Sequence, residues 1–337
     1  MSVYYRPLVR NGPRDGAQGK SLAGGAAWFD TVAVHSRDAE TVYRAAADIP
    51  ADALEALTSP RAPIAGLDMS RSHVMGILNV TPDSFSDGGQ FLAADAAVSH
   101  AHAMAQQGAA IIDIGGESTR PGAKDVPAEE EQARTAPVIV AIRQESAVPI
   151  SIDTRKSTVA QAAITAGADI VNDVAAFTYD PLLAKVAAQA DVPVCLMHAQ
   201  GTPATMQSAP HYDDVLLDVY DFLESRIAAA EGAGIARSRI IVDPGIGFGK
   251  TLEHNLILLR GLSLFHGLGC PILLGASRKR FIGTIGGGDE ATARLGGSVA
   301  VALHGVRQGA QILRVHDIFE TRQAIDLERA ISGADDI

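Results

Sequence analysis

The chain is 337 residues long, enough for one large α/β domain with an appendage or for two modest domains. Its formal charge of −11 argues against a nucleic-acid or anionic-membrane surface, so any bound anion needs a local basic cluster. There is no charged leader with an apolar core and no apolar run of membrane-spanning length, which predicts a soluble cytoplasmic protein.

Residues 1 to about 70 stand apart from the rest. Tyr4, Tyr5, Trp28 and Phe29 supply much of an aromatic content that is only 5% overall, which favours a folded appendage over a disordered tail. Trp28–Val34 reads as a strand and Ala51–Leu57, after Pro50, as a short helix. The segment holds no catalytic motif.

From His73 a rhythm sets in. Strand-like runs are His73–Asn79, Ala110–Gly115, Val148–Asp153, Asp169–Asp173, Val192–His198, Arg239–Asp243, Cys270–Gly275 and Gln311–Val315. Helical patterns alternate with them at Ala93–Gln107, Ala128–Glu145, Lys156–Ala166, Pro181–Ala190, Tyr212–Gly232, Leu252–Leu268, Ala291–Gly309 and Asp317–Ile331. Eight strands alternating with eight helices predict a (β/α)8 TIM barrel over residues 71–337, behind an N-terminal extension over 1–70. Cys195 and Cys270 both fall in apolar runs and read as buried, inert thiols.

A barrel builds its active site from the loops that follow its strands, and the polar residues of this chain gather there. The first strand ends in Asn79. The second, Ile111-Ile112-Asp113-Ile114-Gly115, turns abruptly into Gly116-Glu117-Ser118-Thr119-Arg120-Pro121-Gly122. Asp153, Asn172-Asp173 and Met197-His198 close the next three. Asp243-Pro244-Gly245-Ile246-Gly247-Phe248-Gly249-Lys250 follows the sixth, Gly275-Ala276-Ser277-Arg278-Lys279-Arg280 the seventh and Arg314-Val315-His316 the eighth. Asp173 and Asp180 read equally well as caps of the following helix. Three look-alikes carry no chemistry. Gly245–Thr251 has Pro244 where a phosphate loop needs its first glycine. His100 and His102 point apart on a helix. Asp218, Asp221 and Glu224 make a solvated acidic face.

Six motifs in order, Ile77–Gly88, Gly115–Gly122, Asn172–Val174, Asp243–Gly249, Gly275–Lys279 and Arg314–Asp317, resemble dihydropteroate synthase. The resemblance covers the chain from about residue 73 onward. It implies a folate-pathway transferase that joins 4-aminobenzoate to 6-hydroxymethyl-7,8-dihydropterin diphosphate, with Mg2+ present, as a homodimer and a sulfonamide target. Ala175-Ala176-Phe177 departs from the Ser-Gly-Gly common in the family. A flat heterocycle with several N–H groups needs buried acceptors, and Asp153, Asn172 and Asp243 suit that need. Arg314 and His316, with the Ser277–Arg280 cluster, suit a diphosphate, and Asn79 offers Mg2+ a neutral oxygen. Lys279, Arg314, His316 and Asp153 are the candidate catalytic residues. Thr119, Arg120, Pro121, Phe85, Ser277 and Lys279 are expected around the aminobenzoate, and Met197, Gly247, Phe248 and Gly275 complete the expected substrate contacts. The loops at Thr81–Gly89 and Gly116–Lys124 read as lids that make aminobenzoate bind after the pterin diphosphate.

Rival readings are a pterin-dependent methyltransferase module, a Schiff-base aldolase using Lys279, and a non-catalytic pterin-binding barrel. The Glu117–Gly122 loop and the basic seventh loop favour the first reading over the methyltransferase. A Schiff-base lysine works best in an apolar pocket, whereas Lys279 stands between two arginines. A complete set of phosphate-side residues argues against the non-catalytic barrel.

Overall fold

In a computed structural model of the protein, the described residues are 2–14, 18–80, 89–118, 123, 125–201, 205, 206 and 208–333, the side chains of 89–94 excepted. The extension holds β1 (Val3–Pro7), β2 (Lys20–Ser21), β3 (Trp28–Phe29), β4 (Thr31–Ser36), β5 (Ala39–Ala45) and α1 (Ala51–Thr58). The first, fourth and fifth strands make an antiparallel sheet in the order β1-β4-β5, and β2 pairs with β3. Leu22, Phe29, Val32, Ile49 and Leu57 give it a small core of its own.

The barrel follows as β6 (His73–Asn79), α2 (Gly89–Gln106), β7 (Ile111–Gly115), α3 (Ala128–Glu145), β8 (Ile150–Asp153), α4 (Ser157–Ala166), β9 (Ile170–Asp173) and α5 (Leu182–Ala190). It continues with β10 (Val194–Met197), α6 (Val215–Gly232), β11 (Ile240–Asp243), α7 (Leu252–Arg260), β12 (Leu273–Leu274), α8 (Arg280–Gly286), α9 (Leu295–Arg307), β13 (Ile312–Val315) and α10 (Ile318–Ser332). The strands are parallel and run β11-β10-β9-β8-β7-β6-β13-β12, with a single bridge from Val242 to Ile272 closing the ring. Every residue of β7 to β11 is buried, as expected of strands covered on both faces.

Three elements differ from the expected rhythm. The seventh strand shrinks from Cys270–Gly275 to two residues. The helix expected over Leu252–Leu268 stops at Arg260, where Gly261 packs so close to Leu216 that an added Cβ would lie 2.6 Å from its Cδ1. The chain goes on as a 3-10 turn over Leu262–Leu268. The short α8 was not anticipated; Gly287 and Gly288 end it.

The extension also closes the barrel floor. Ile64 and Met69 are fully buried among Met75, Ile111, Ile170, Cys195, Ile241, Leu273 and Ile312, which sit at or near the strand starts. The acidic row on α6 is a docking face and not merely a solvated one. Tyr4 donates to Asp221 at 2.8 Å, and Arg37 pairs with Asp218 and Asp221, each at 2.7 Å. Both thiols are buried, and burial pushes Cys270 up to about 12. Among the described residues no helix is long and apolar enough to cross a membrane.

Candidate active site

Arg314 on β13 sits at the centre of the barrel mouth. Its Nε donates to Asp113 Oδ2 at 2.6 Å and its Nη2 to Asp153 Oδ2 at 2.7 Å, while Asn172 Nδ2 donates to the same Asp113 oxygen at 3.2 Å. Burial disfavours the guanidinium charge, but Asp113 and Asp153 outweigh it and raise the Arg314 pKa. Burial pushes Asp153 up to about 7 against the pull of Arg314, with Asp113 adding to the rise. The second oxygens of Asp113 and Asp153, both Oδ1, are buried and have no hydrogen-bond donor among the described residues. A buried carboxylate oxygen without a donor is costly. The pair is therefore suited to a ligand that brings N–H groups.

Asp243 completes this wall. Its Oδ1 accepts from the Gly245 N–H at 2.7 Å, and burial pushes the carboxyl up to about 6 against that bond and the charges of Lys279, Lys250 and Arg314. Gly275 lies between Asp243 and Arg314; a Cβ there would stand 3.7 Å from Asp243 Oδ2 and 3.9 Å from Arg314. Gly115 separates Asp153 from Asn79, whose Oδ1 would lie 3.9 Å from an added Cβ. Lys279 Nζ stands 4.0 Å from the centre of the Phe248 ring, over its face, and its stem passes Gly247. Ser277 Oγ accepts from the His316 backbone N–H at 3.2 Å and lies 3.1 Å from His316 Nδ1. Met197 lies beneath Gly245. Asn79, Asp153, Asn172, Met197, Asp243, Gly247, Phe248, Gly275, Ser277, Lys279, Arg314 and His316 thus converge on one end of the barrel. Phe85, Thr119, Arg120 and Pro121 lie outside the described residues, as does most of both expected lid loops.

One part of the expected basic cluster is committed elsewhere. Arg278 makes a two-pronged ion pair with Asp317 at the start of α10, and Arg280 is exposed. Of Ser277–Arg280, only Ser277 and Lys279 are seen to engage residues of the mouth.

Three groups escaped sequence reasoning. Asp113 is one, although a lone carboxylate between Ile112 and Ile114 was its signal. Lys250 is the second, hidden in the false phosphate loop. It is 3% exposed, and its Nζ lies 2.8 Å from His198 Nδ1, 3.0 Å from the Phe248 carbonyl and 3.3 Å from the His198 carbonyl. Burial lowers Lys250 to about 7 although Asp243 opposes the shift, and burial with the Lys250 charge drives His198 down to about 2. The third is a charge network at the end of β8. Arg155 and Lys156 both pair with Glu117, at 2.9 and 3.2 Å, and they also hold Asp125 and Glu131 at 3.1 and 2.7 Å. Glu117 in turn accepts from the Val126 N–H at 3.0 Å. Both flanks of the segment bearing Thr119, Arg120 and Pro121 are thereby tied to β8.

The Ala175–Phe177 departure has a physical support. Ala176 and Phe177 adopt left-handed φ of 48° and 65°, where glycine would be at ease. Asp173 holds that turn by accepting from the Ala175 and Phe177 N–H groups at 2.8 and 2.6 Å. Asp180 caps two helices at once, accepting from Leu182 at 3.0 Å and from Ser157 of α4 at 2.8 Å.

A parallel barrel whose mouth pairs a carboxylate-and-amide wall with arginine, lysine and histidine defines a class, the barrel enzymes that hold a polar heterocycle. The family model described as pterin binding enzyme matches residues 75–316. The dihydropteroate synthase of Escherichia coli K12 is 50% identical over 270 residues, 80% of this chain and 94% of that protein. The Xanthomonas albilineans dihydropteroate synthase solved with 4-aminobenzoic acid is 48% identical, with a TM-score of 0.76 over 81% of this chain and 98% of that one. A Yersinia pestis dihydropteroate synthase in a sulfonamide drug complex is 46% identical, with a TM-score of 0.75 over 79% and 96%. The chain belongs to the dihydropteroate synthase family.

Proposed function

We propose that the mouth joins 4-aminobenzoate to 6-hydroxymethyl-7,8-dihydropterin diphosphate, forming 7,8-dihydropteroate and pyrophosphate. The observation that carries this reading is the pair of buried oxygens on Asp113 and Asp153, without a donor among the described residues, beside Asn172 and Asp243. A pterin ring offers the N–H groups that such a wall lacks. The arylamine nitrogen attacks the exocyclic methylene carbon, the C–O bond to the diphosphate breaks, and the amine proton leaves to solvent or pyrophosphate. A neutral arylamine needs no strong base. The leaving diphosphate needs positive charge, which Arg314 and Lys279 are placed to supply, with His316 beside them as a hydrogen-bonding partner. Arg314 Nη1 is available for this, having no protein partner among the described residues.

Mg2+ is expected to arrive with the diphosphate and to neutralise its charge. Asn79 would give it one oxygen, and among the described residues no group of three or more His, Cys, Asp or Glu is placed to hold a metal. Thr119, Arg120, Pro121 and Phe85 would surround the aminobenzoate, so sulfonamides would compete with it. A cytoplasmic homodimer completes the proposal. Pyrophosphate release should require both substrates, should stop on chelation of Mg2+, and should fall at least a hundredfold in Arg314→Ala. Release without aminobenzoate, or a variant as active as the parent, would refute the reading.

A further inference from the structure

Arg278 stands between Ser277 and Lys279, two residues of the mouth, in a backbone conformation that its side chain does not favour. Its φ is +57°, in the left-handed region, where a Cβ crowds the carbonyl that follows. Residues held this way persist where their surroundings fix them, and they gather at functional sites. Arg278 is fixed from three directions. Its N–H donates to Ser298 Oγ of α9 at 2.9 Å, and its carbonyl accepts from Arg294 at 3.0 Å. Its guanidinium makes the two-pronged pair with Asp317, which is mostly buried.

Asp317 gives up something for that pair. It occupies the N-cap position of α10, where an aspartate ordinarily accepts from the first N–H groups of the helix. Among the described residues its side chain makes no such bond, and both its oxygens go to Arg278. Two local preferences are thus overridden at one contact. That contact joins the loop after β12, where Ser277 and Lys279 lie, to the end of β13, where Arg314 and His316 lie. Ser277 and His316 meet across the same seam.

We propose that Arg278 and Asp317 are positioning residues, whose pair holds Ser277 and Lys279 in register with Arg314 and His316 and so sets recognition of the aminobenzoate. The assignment of Ser277 and Lys279 to that substrate rests on the function proposed above, whereas the bracing of the loop does not. An arginine suits the task because its planar fork fixes both carboxylate oxygens at once.

The test uses Asp317→Ser and Arg278→Gly. Serine still caps α10 but is too short to reach Arg278, and glycine is at ease at a left-handed φ, so each removes the pair without straining the backbone it leaves. Hydrogen exchange of the Arg278 and Lys279 amides should quicken at least tenfold in Asp317→Ser, while α10 keeps its protection. KM for aminobenzoate should rise at least tenfold in both variants, with Arg278→Lys falling between them and the parent. Calorimetry with 6-hydroxymethyl-7,8-dihydropterin, which lacks the diphosphate, should give an affinity within twofold of the parent's, because Asp113, Asp153, Asn172 and Asp243 lie outside the contact. Unchanged loop exchange, an aminobenzoate KM within twofold of the parent's, or equal weakening of both ligands would overturn the proposal. Faster loop exchange in a protein whose parent releases no pyrophosphate would keep the brace and sink the proposed function instead.

Discussion

Asp243 ends a strand whose other residues are apolar, and that placement sets its titration. An exposed aspartate titrates near 3.8, whereas burial raises this one to about 6. The native state therefore binds a proton more tightly than the unfolded chain does. The corresponding stability is fully present below pH 3.8 and is lost as the pH rises through about 6, an effect of about 3 kcal/mol. In Asp243→Asn, denaturant melts of the ligand-free protein should lose that share of the slope between pH 4 and 7. An unaltered slope would show that Asp243 is ionised throughout. The identity of such residues was legible at strand ends, where a polar group breaks an apolar run. Asp113 was not, because it lies within its run and its use is revealed by Asn172 and Arg314, 59 and 201 residues away.

At the level of elements, the loops after β10 and β11 act as one piece. A Cβ on Gly245 would fall 1.9 Å from the His198 carbonyl oxygen, and one on Gly249 2.4 Å from that of Gln200. Lys250 bonds across this contact, and its three donors match three acceptors. Because Phe248 is both a Lys250 acceptor and the ring beneath Lys279, the lysine positions Lys279 indirectly. Lys250→Met should thus weaken pterin diphosphate binding at least tenfold by calorimetry. The substitution leaves three acceptors without that donor but also relieves a buried charge borne below about pH 7, so its net cost in stability there should stay under about 3 kcal/mol. A collapse of the melting temperature at pH 6 with unchanged affinity would contradict the positioning role. The sequence showed this loop as a glycine-rich run but not its partner, since the facing carbonyls come from any residue type. Element ends were legible where a capping residue or glycine marked them. The split after Arg260 was passed over although Gly261 marks it, because the close approach of Leu216 from another helix is not visible in the sequence.

For the molecule as a whole, the alternation of strands and helices was enough to read the barrel. How the extension meets it was not readable, because Tyr4 and Asp221 are 217 positions apart and Pro7 and Ser263 are 256 apart. Met69 fills the floor with no exposure. Met69→Ala should destabilise the protein by about 3 kcal/mol through a cavity under the strands, measured by denaturant unfolding. A loss under about 1 kcal/mol would mean that the floor is not part of the cooperative core. The ring has one narrow place, between β11 and the two-residue β12, where a single bridge and the Val242–Pro271 hydrogen bond join the strands. The segment leading into β12 is the one the extension grips, with Ser263 donating to the Pro7 carbonyl and Arg61 to the His266 carbonyl, both at 2.9 Å. During synthesis Pro7 and Arg61 must wait for Ser263 and His266, 256 and 205 positions later, before this grip can form. Closure of the ring should then be a late, slow event governed by long-range contacts, and release of the N-terminal segment an early step in opening it.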